Sequence, residues 1–431
     1  MNKNRKIVIT GIGPIASAGI GKQAFWQGII NKKTGLELME HYIGEKLWGK
    51  FFLHKVKNFN LNNFGINPDD LEYIEDWKEC PIDIDLQYLL ASVKLALDDS
   101  KIDYKKIAKD SLSLVVGHEN PAMEYFYENM FKESFIKLKE NPNVCSKEFC
   151  NDVYYKLVKS GYETQTFMYL FHIARTFNIH KYSLFINNAC ASGLYAIEAA
   201  SDMIKLGKVP MVVVVAGDHP NIFKHLWFKM IEMYEPDGKI KPFSKDSKGL
   251  VMGEGAAALV LEDYEHAKER GVHIYAEYLG GGFRLEGWKV AIPQIGGTYY
   301  QEAITDALDR SNVTKREIDL ICAHATGTIA ADNYEAQAIM NIFGNFKVPV
   351  TAFKPYVGHT LGGSALLETI ILLLAMESNF VPPVLNTINI DSRSKIDLIR
   401  EERNLKLRVI LKLCCAFAGY NAALIFNKSE V

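Results

Sequence analysis

The chain reads as an α/β fold built from two related halves, and three observations predict it. Apolar strand-like runs alternate with helix-like segments along its length, which calls for sheets covered by helices. Runs such as Met211 to Ala216 are continuously apolar, as expected of strands buried on both faces. One pattern also occurs twice. A strand leads to Cys190 and then a helix, with Gly193 three residues on; a strand leads to His359 and then a helix, with Gly362 three residues on. The halves close alike, Gly253 to Leu261 against Ala418 to Phe426, each a glycine-containing turn followed by a buried strand. Boundaries of 1–265 and 266–431 follow.

At the N-terminus a basic Asn2 to Lys6 precedes an apolar stretch and Ala16-Ser17-Ala18, which mimics a secretion signal. Gly11, Gly13 and Pro14 interrupt it, so a short first strand over Ile7 to Thr10 is expected, with a helix starting near Lys22. Gly11-Ile12-Gly13-Pro14-Ile15-Ala16 fits a dinucleotide fingerprint in letters only. No acidic residue closes a second strand about twenty positions on, so a nicotinamide site is not expected. Residues 118–165, rich in Asn, Glu, Lys and aromatics, read as a helical excursion that covers a pocket, builds a subunit interface or is simply solvated.

Asn187-Asn188-Ala189-Cys190-Ala191-Ser192-Gly193 lies between the strand Tyr182 to Ile186 and the helix Leu194 to Leu206. Cys190 thus falls in a tight turn at a helix N-terminus. The dipole and free N–H groups there are expected to lower its pKa and favour a thiolate. Alone, a cysteine is more often a packing residue. The balance shifts with His324, at the end of a short strand, and His359, after the strand Val348 to Phe353 and before the helix Ala365 to Met376. A cysteine with distant histidines suits nucleophilic acyl chemistry.

Composition fits this reading. The chain has 431 residues, 48% hydrophobic, with net charge −2, which argues against a nucleic-acid protein. Seven cysteines show neither a disulfide framework nor paired zinc spacing, and a reducing, cytoplasmic setting is expected. Cys414 and Cys415 sit in a strand pattern and read as core. No run of eighteen apolar residues is present, so no membrane span is expected.

Taken together, these motifs resemble the elongating β-ketoacyl-[acyl-carrier-protein] synthases. They are Ala189-Cys190-Ala191-Ser192-Gly193; Lys241-Pro242-Phe243 with Val251 to Gly255; His324-Ala325-Thr326-Gly327-Thr328 with Asp332 and Glu335; Lys354 with Gly358-His359; and Phe417-Ala418-Gly419-Tyr420-Asn421. The match runs from Lys6 to Phe426 and is weakest over 118–165. The resemblance implies a thiolase-like fold with layered αβαβα architecture and a decarboxylative Claisen condensation of malonyl-carrier with an acyl chain on Cys190, in fatty-acid or type II polyketide elongation. It implies that His324 and His359 hold the malonyl thioester, that the N–H groups of Cys190 and Phe417 form the oxyanion hole, and that Lys354 and Glu335 form an ordering charged pair. Thr326 and Thr328 would bind phosphopantetheine, with Phe417 and Gly419 at a gated substrate pocket. No cofactor is expected beyond the phosphopantetheine of the acyl carrier protein, and no metal. A homodimer is implied, or a heterodimer with a second ketosynthase or a chain-length factor. Lys205, Lys208, Lys224 and Lys229 are candidates for a basic carrier-docking patch.

The chain departs from the family pattern at Asn188, Ile329, Cys415, Ala416 and Asp218-His219-Pro220. Ala416 in place of glycine is expected to stiffen the gate. These departures point to a specialised secondary-metabolic substrate as readily as to housekeeping elongation. Two alternatives remain at this point, a non-catalytic chain-length factor and a ketosynthase-like acyltransferase.

Overall fold

The computed structural model describes residues 5–43, 45–71, 82–108, 110–127, 158–294, 296–344 and 346–429. Most of the 118–165 excursion lies outside these residues. The first repeat comprises β1 (Ile7–Ala16), α1 (Lys22–Ile30), α2 (Ile84–Asp99), β2 (Leu112–Gly117), α3 (Thr166–Phe177), β3 (Ser183–Ile186), α4 (Ser192–Lys205), β4 (Met211–Asp218), α5 (Ile222–Met230) and β5 (Gly255–Asp263). The second comprises β6 (Ala276–Leu285), α6 (Thr298–Ser311), β7 (Leu320–Cys322), α7 (Ile329–Phe343), β8 (Pro349–Thr351), α8 (Ser364–Ser378), β9 (Val409–Cys415) and β10 (Tyr420–Asn427).

Within the first repeat the strands lie in the order β3–β2–β4–β5–β1, and within the second β8–β7–β9–β10–β6. Numbered inside each repeat, both are 3-2-4-5-1. Each has two parallel pairings followed by two antiparallel ones. The duplication expected from the Cys190 and His359 patterns is therefore a property of the topology. A short antiparallel ladder, Ile7 to Ile9 of β1 against Ala276 to Tyr278 of β6, joins the two.

The helices form three layers around these strands. α4 and α8 pack on each other and on strands of both repeats. Leu194, Ile197, Leu366, Ile370 and Leu373, all fully buried, belong to this central core. α2 covers the opposite face of the first repeat through Leu89, Val93 and Leu97, and α6 and α7 cover that of the second through Ile304 and Ile339. The order helix, sheet, helix, sheet, helix follows. Each fully buried Leu or Ile in these layers contributes about 1.5–3 kcal/mol.

Two expectations need correction. β1 does not stop at Thr10 but runs to Ala16, with its register slipping by one residue between Ile9 and Gly11. The glycines read as breakers serve instead as the contact with α2: a Cβ at Gly13 would lie 2.1 Å from the Ser92 carbonyl, and one at Gly11 2.3 Å from that of Ala96. The membrane expectation also needs refining. Leu361–Ser378 is long and apolar enough to span a bilayer, at a mean hydropathy of 1.5, but 89% of it is buried inside the protein. It is a core helix, apolar all round because the protein surrounds it.

Candidate active site

The two repeats aim their central helices at one place. Cys190 lies two residues before α4, in a turn clipped by Ser192: the Asn188 N–H donates to Ser192 Oγ (2.9 Å), and that hydroxyl donates to the Ala189 carbonyl (2.6 Å). His359 precedes α8 after a short helix, Lys354–Val357. Its backbone is held by the first repeat, its N–H donating to Val251 O (2.8 Å) and its carbonyl accepting from the Gly253 N–H (3.1 Å). That explains the Val251-Met252-Gly253 motif, since a Cβ at Gly253 would lie 1.9 Å from the Val357 carbonyl. His324 follows β7, its loop pinned by the buried Glu335 carboxylate, which accepts from the N–H groups of His324 (2.7 Å) and Ala325 (2.8 Å) and from the Tyr300 hydroxyl (2.7 Å).

One atom from each of Cys190, His324 and His359 lies within 4.8 Å of the others. The two imidazoles meet edge to face, with ring centroids 5.5 Å apart. Their tautomers follow from their partners. His359 Nδ1 accepts the Leu361 N–H (3.2 Å), and His324 Nδ1 faces the Lys354 ammonium (3.2 Å), so both protons are assigned to Nε2. Burial, with the Lys354 charge second, holds both imidazoles well below the usual histidine range. The pair is neutral and presents two N–H donors.

All three residues line one narrow cavity. Thr326, Thr328, Cys415, Ala416, Phe417 and Gly419 also line it, with Phe228 and Lys289 to Ile292. Thr326 and Thr328 share a hydroxyl–hydroxyl contact of 2.9 Å. Phe417 packs on Phe228, with ring centroids 5.3 Å apart. Gly419 is at φ +81°, and a Cβ there would lie 2.6 Å from that of Glu286.

Several sequence expectations change here. The Cys190 thiol is pushed well above its ordinary value, chiefly by burial and next by Glu119. Burial outweighs the opposing Lys354 and Lys224 charges, so the shift runs against the lowering expected at a helix terminus. Lys354 does not pair with Glu335; its ammonium binds Glu368 at 2.7 Å, and Glu335 is taken up by backbone N–H groups. Lys224 is a poor candidate for a surface patch, because its half-buried ammonium is held between Glu119 and Asp218, 3.1 Å from each. Lys205, Lys208 and Lys229 lie over the rings of Tyr278, Tyr182 and Phe51. Ala416 is extended at φ −97° and needs no glycine freedom, while Ala418 takes the left-handed conformation at φ +59°. Cys414 is core, but Cys415 faces the cavity.

The linear reading missed Glu368, Lys412 and Glu119. It also missed a common backbone feature. Ala189, Ala325 and Leu361, each within two residues of a reactive side chain, hold φ values of +49°, +45° and +48°. Non-glycine residues there cost on the order of 1–3 kcal/mol each and cluster at functional sites.

Two family models cover most of the chain: Beta-ketoacyl synthase, N-terminal domain, over residues 4–267, and Beta-ketoacyl synthase, C-terminal domain, over 275–388. The chain is 25% identical to the 3-oxoacyl-[acyl-carrier-protein] synthase 2 of Coxiella burnetii over 99% of both chains. It is 27% identical to the synthase of that name from Rhizobium meliloti, over 98% of this chain and 99% of the other. Among solved structures it resembles the ishigamide ketosynthase/chain length factor, with a TM-score of 0.85 and 26% identity over 99% of this chain and 100% of that one. Matched by both models and carrying cysteine and paired histidines in one cavity, the chain belongs to the beta-ketoacyl synthase family.

Proposed function

We propose that the protein is a condensing enzyme that extends an acyl chain by two carbons through decarboxylation of a malonyl thioester, both delivered by an acyl carrier protein. The observation that carries this reading is the convergence of one thiol and two neutral, N–H-donating imidazoles in a single cavity. In the first half-reaction Cys190 Sγ attacks the acyl thioester. The S–acyl bond to Cys190 forms, the bond to pantetheine breaks, and the thiol proton ends on the departing sulfur. Malonyl thioester then enters, with its arm along Thr326 and Thr328 and its carbonyl oxygen facing the Nε2–H groups of His324 and His359. Loss of carbon dioxide leaves an enolate whose charge those donors stabilise without a metal. Its carbon attacks acyl-Cys190, and the oxyanion is met by the N–H groups of Cys190 and Phe417. Donors of this kind typically contribute about 3 kcal/mol each. Collapse releases the β-ketoacyl product and the Cys190 thiolate, which takes a proton from water.

The carrier partner is supported by the names of the synthases of similar length, and assembly with a second ketosynthase-fold subunit by the ishigamide structure. The test is incubation with acyl-carrier and malonyl-carrier proteins, following carbon dioxide and the mass of the carrier-bound product. A chain two carbons longer with matching carbon dioxide is expected. Acyl loading with neither product would sink the reading.

A further inference from the structure

Among the described residues, the steps above give no task to the fully buried lysine of β9. Lys412, on β9 two residues before Cys414, is 0% exposed. Its ammonium donates to one oxygen of Glu368 and to the Leu413 carbonyl (2.9 Å). The other Glu368 oxygen binds the Lys354 ammonium, which also donates to the His324 carbonyl and lies 3.2 Å from His324 Nδ1. One buried carboxylate therefore faces two ammonium ions, of which the Lys354 one lies on the His324 side. Desolvating a lysine is unfavourable, and an apolar residue would fill this core position without that penalty.

Resting on the condensing activity proposed above, we infer that Lys412 is a positioning residue for carbon–carbon bond formation. By sharing Glu368 it leaves the Lys354 charge only partly compensated against His324 Nδ1, which keeps the imidazole neutral and strengthens Nε2–H as a donor to the developing enolate. The titratable groups around His324 are Lys354, Cys322 on β7, Asp332 and Glu335 on α7, Glu368 on α8, Lys412 and Cys414 on β9, and His359 and Cys190. Of these, Lys354 and Lys412 are the cations. Both act in the same direction on the two imidazoles, behind the larger effect of burial.

The experiment separates charge from packing. Lys412→Gln keeps a neutral donor for Glu368, Lys412→Arg keeps the charge, and Lys412→Met stands in if the glutamine variant does not fold. Carbon dioxide release from malonyl-carrier protein is measured from about pH 5 to 8, with acyl loading of Cys190 followed separately by mass. Removing one nearby cation raises the protonation pH of His324. The acid limb of the glutamine variant is therefore expected to move upward by on the order of one pH unit, a loss of about tenfold on that limb. Arginine should restore the wild-type limb, and all variants should still load Cys190. A glutamine profile that overlays the wild type overturns the inference, as does an activity loss equal at every pH. Wild type that loads but releases no carbon dioxide overturns the functional reading instead, and the inference falls with it.

Discussion

Cys190 is buried to 5% exposure, with Glu119 adding to the upward shift of its thiol and Lys354 and Lys224 opposing it. Alkylation by iodoacetamide, followed on the Cys190 peptide by mass spectrometry, is therefore expected to keep rising with pH beyond about 8.5, where an ordinary thiol is already half ionised. A plateau below that value would contradict the dominance of burial. Substitutions divide the two half-reactions. Cys190→Ala should abolish acyl loading, whereas His359→Ala should load but lose condensation by on the order of 10²–10³-fold, the usual effect of deleting a charge-stabilising donor. Intact-protein mass and carbon dioxide release read the two steps apart. At this scale Cys190, His324 and His359 were legible because each stands in its own strand-to-loop motif. The partner of Lys354 was not legible. Glu335 and Glu368 both lie within reach in sequence, and only the packed geometry shows that Glu335 is taken by the backbone N–H groups of the His324 loop.

At the scale of elements, the close approach of β1 to α2 depends on glycine. Gly13→Ala would push a methyl group against the Ser92 carbonyl at 2.1 Å. It is expected to cost about 1–3 kcal/mol, as overpacking does. Gly65→Ala, at φ +69° with open space around it, should cost only about 1 kcal/mol from its left-handed backbone. Urea denaturation of the two variants checks the order, and equal losses would remove the packing argument. Helices and strands were largely legible from periodicity. α1 begins at Lys22 as expected, and α4 and α8 lie within two residues of their predicted limits at each end. The misreading of β1 has a physical cause. Glycine and proline punctuate an isolated chain, but within a sheet covered by a helix the same glycines admit the helix backbone. The gating turn was misjudged for a related reason, because which of Ala416 and Ala418 carries positive φ depends on hydrogen bonds to Tyr420 and Val290.

The whole molecule shares one central core between its repeats. α4 and α8 contact each other and strands of both halves, and Glu198 on α4 reaches Arg310 on α6 at 2.6 Å and the Tyr278 hydroxyl on β6. A fragment of residues 1–265 would leave the α8-facing side of α4 in water. Expressed alone it is expected to lack cooperative unfolding and native amide protection, and co-expression with 266–431 should restore both. Independent cooperative melting of the fragment would show that the halves are separate folding units. The duplication itself could be read from sequence because the turn-plus-strand endings repeat, whereas the shared core could not, since neither half signals which face it hides.

The apolar helix Leu361–Ser378 has a consequence during synthesis. One strand packed against it, Val409–Cys415, is translated after it. While that strand is still inside the ribosome, a helix apolar enough to enter a bilayer lacks part of its cover on the nascent chain. Chaperone capture at that moment, or insoluble products from stalled translation, is the vulnerability that this order of assembly creates.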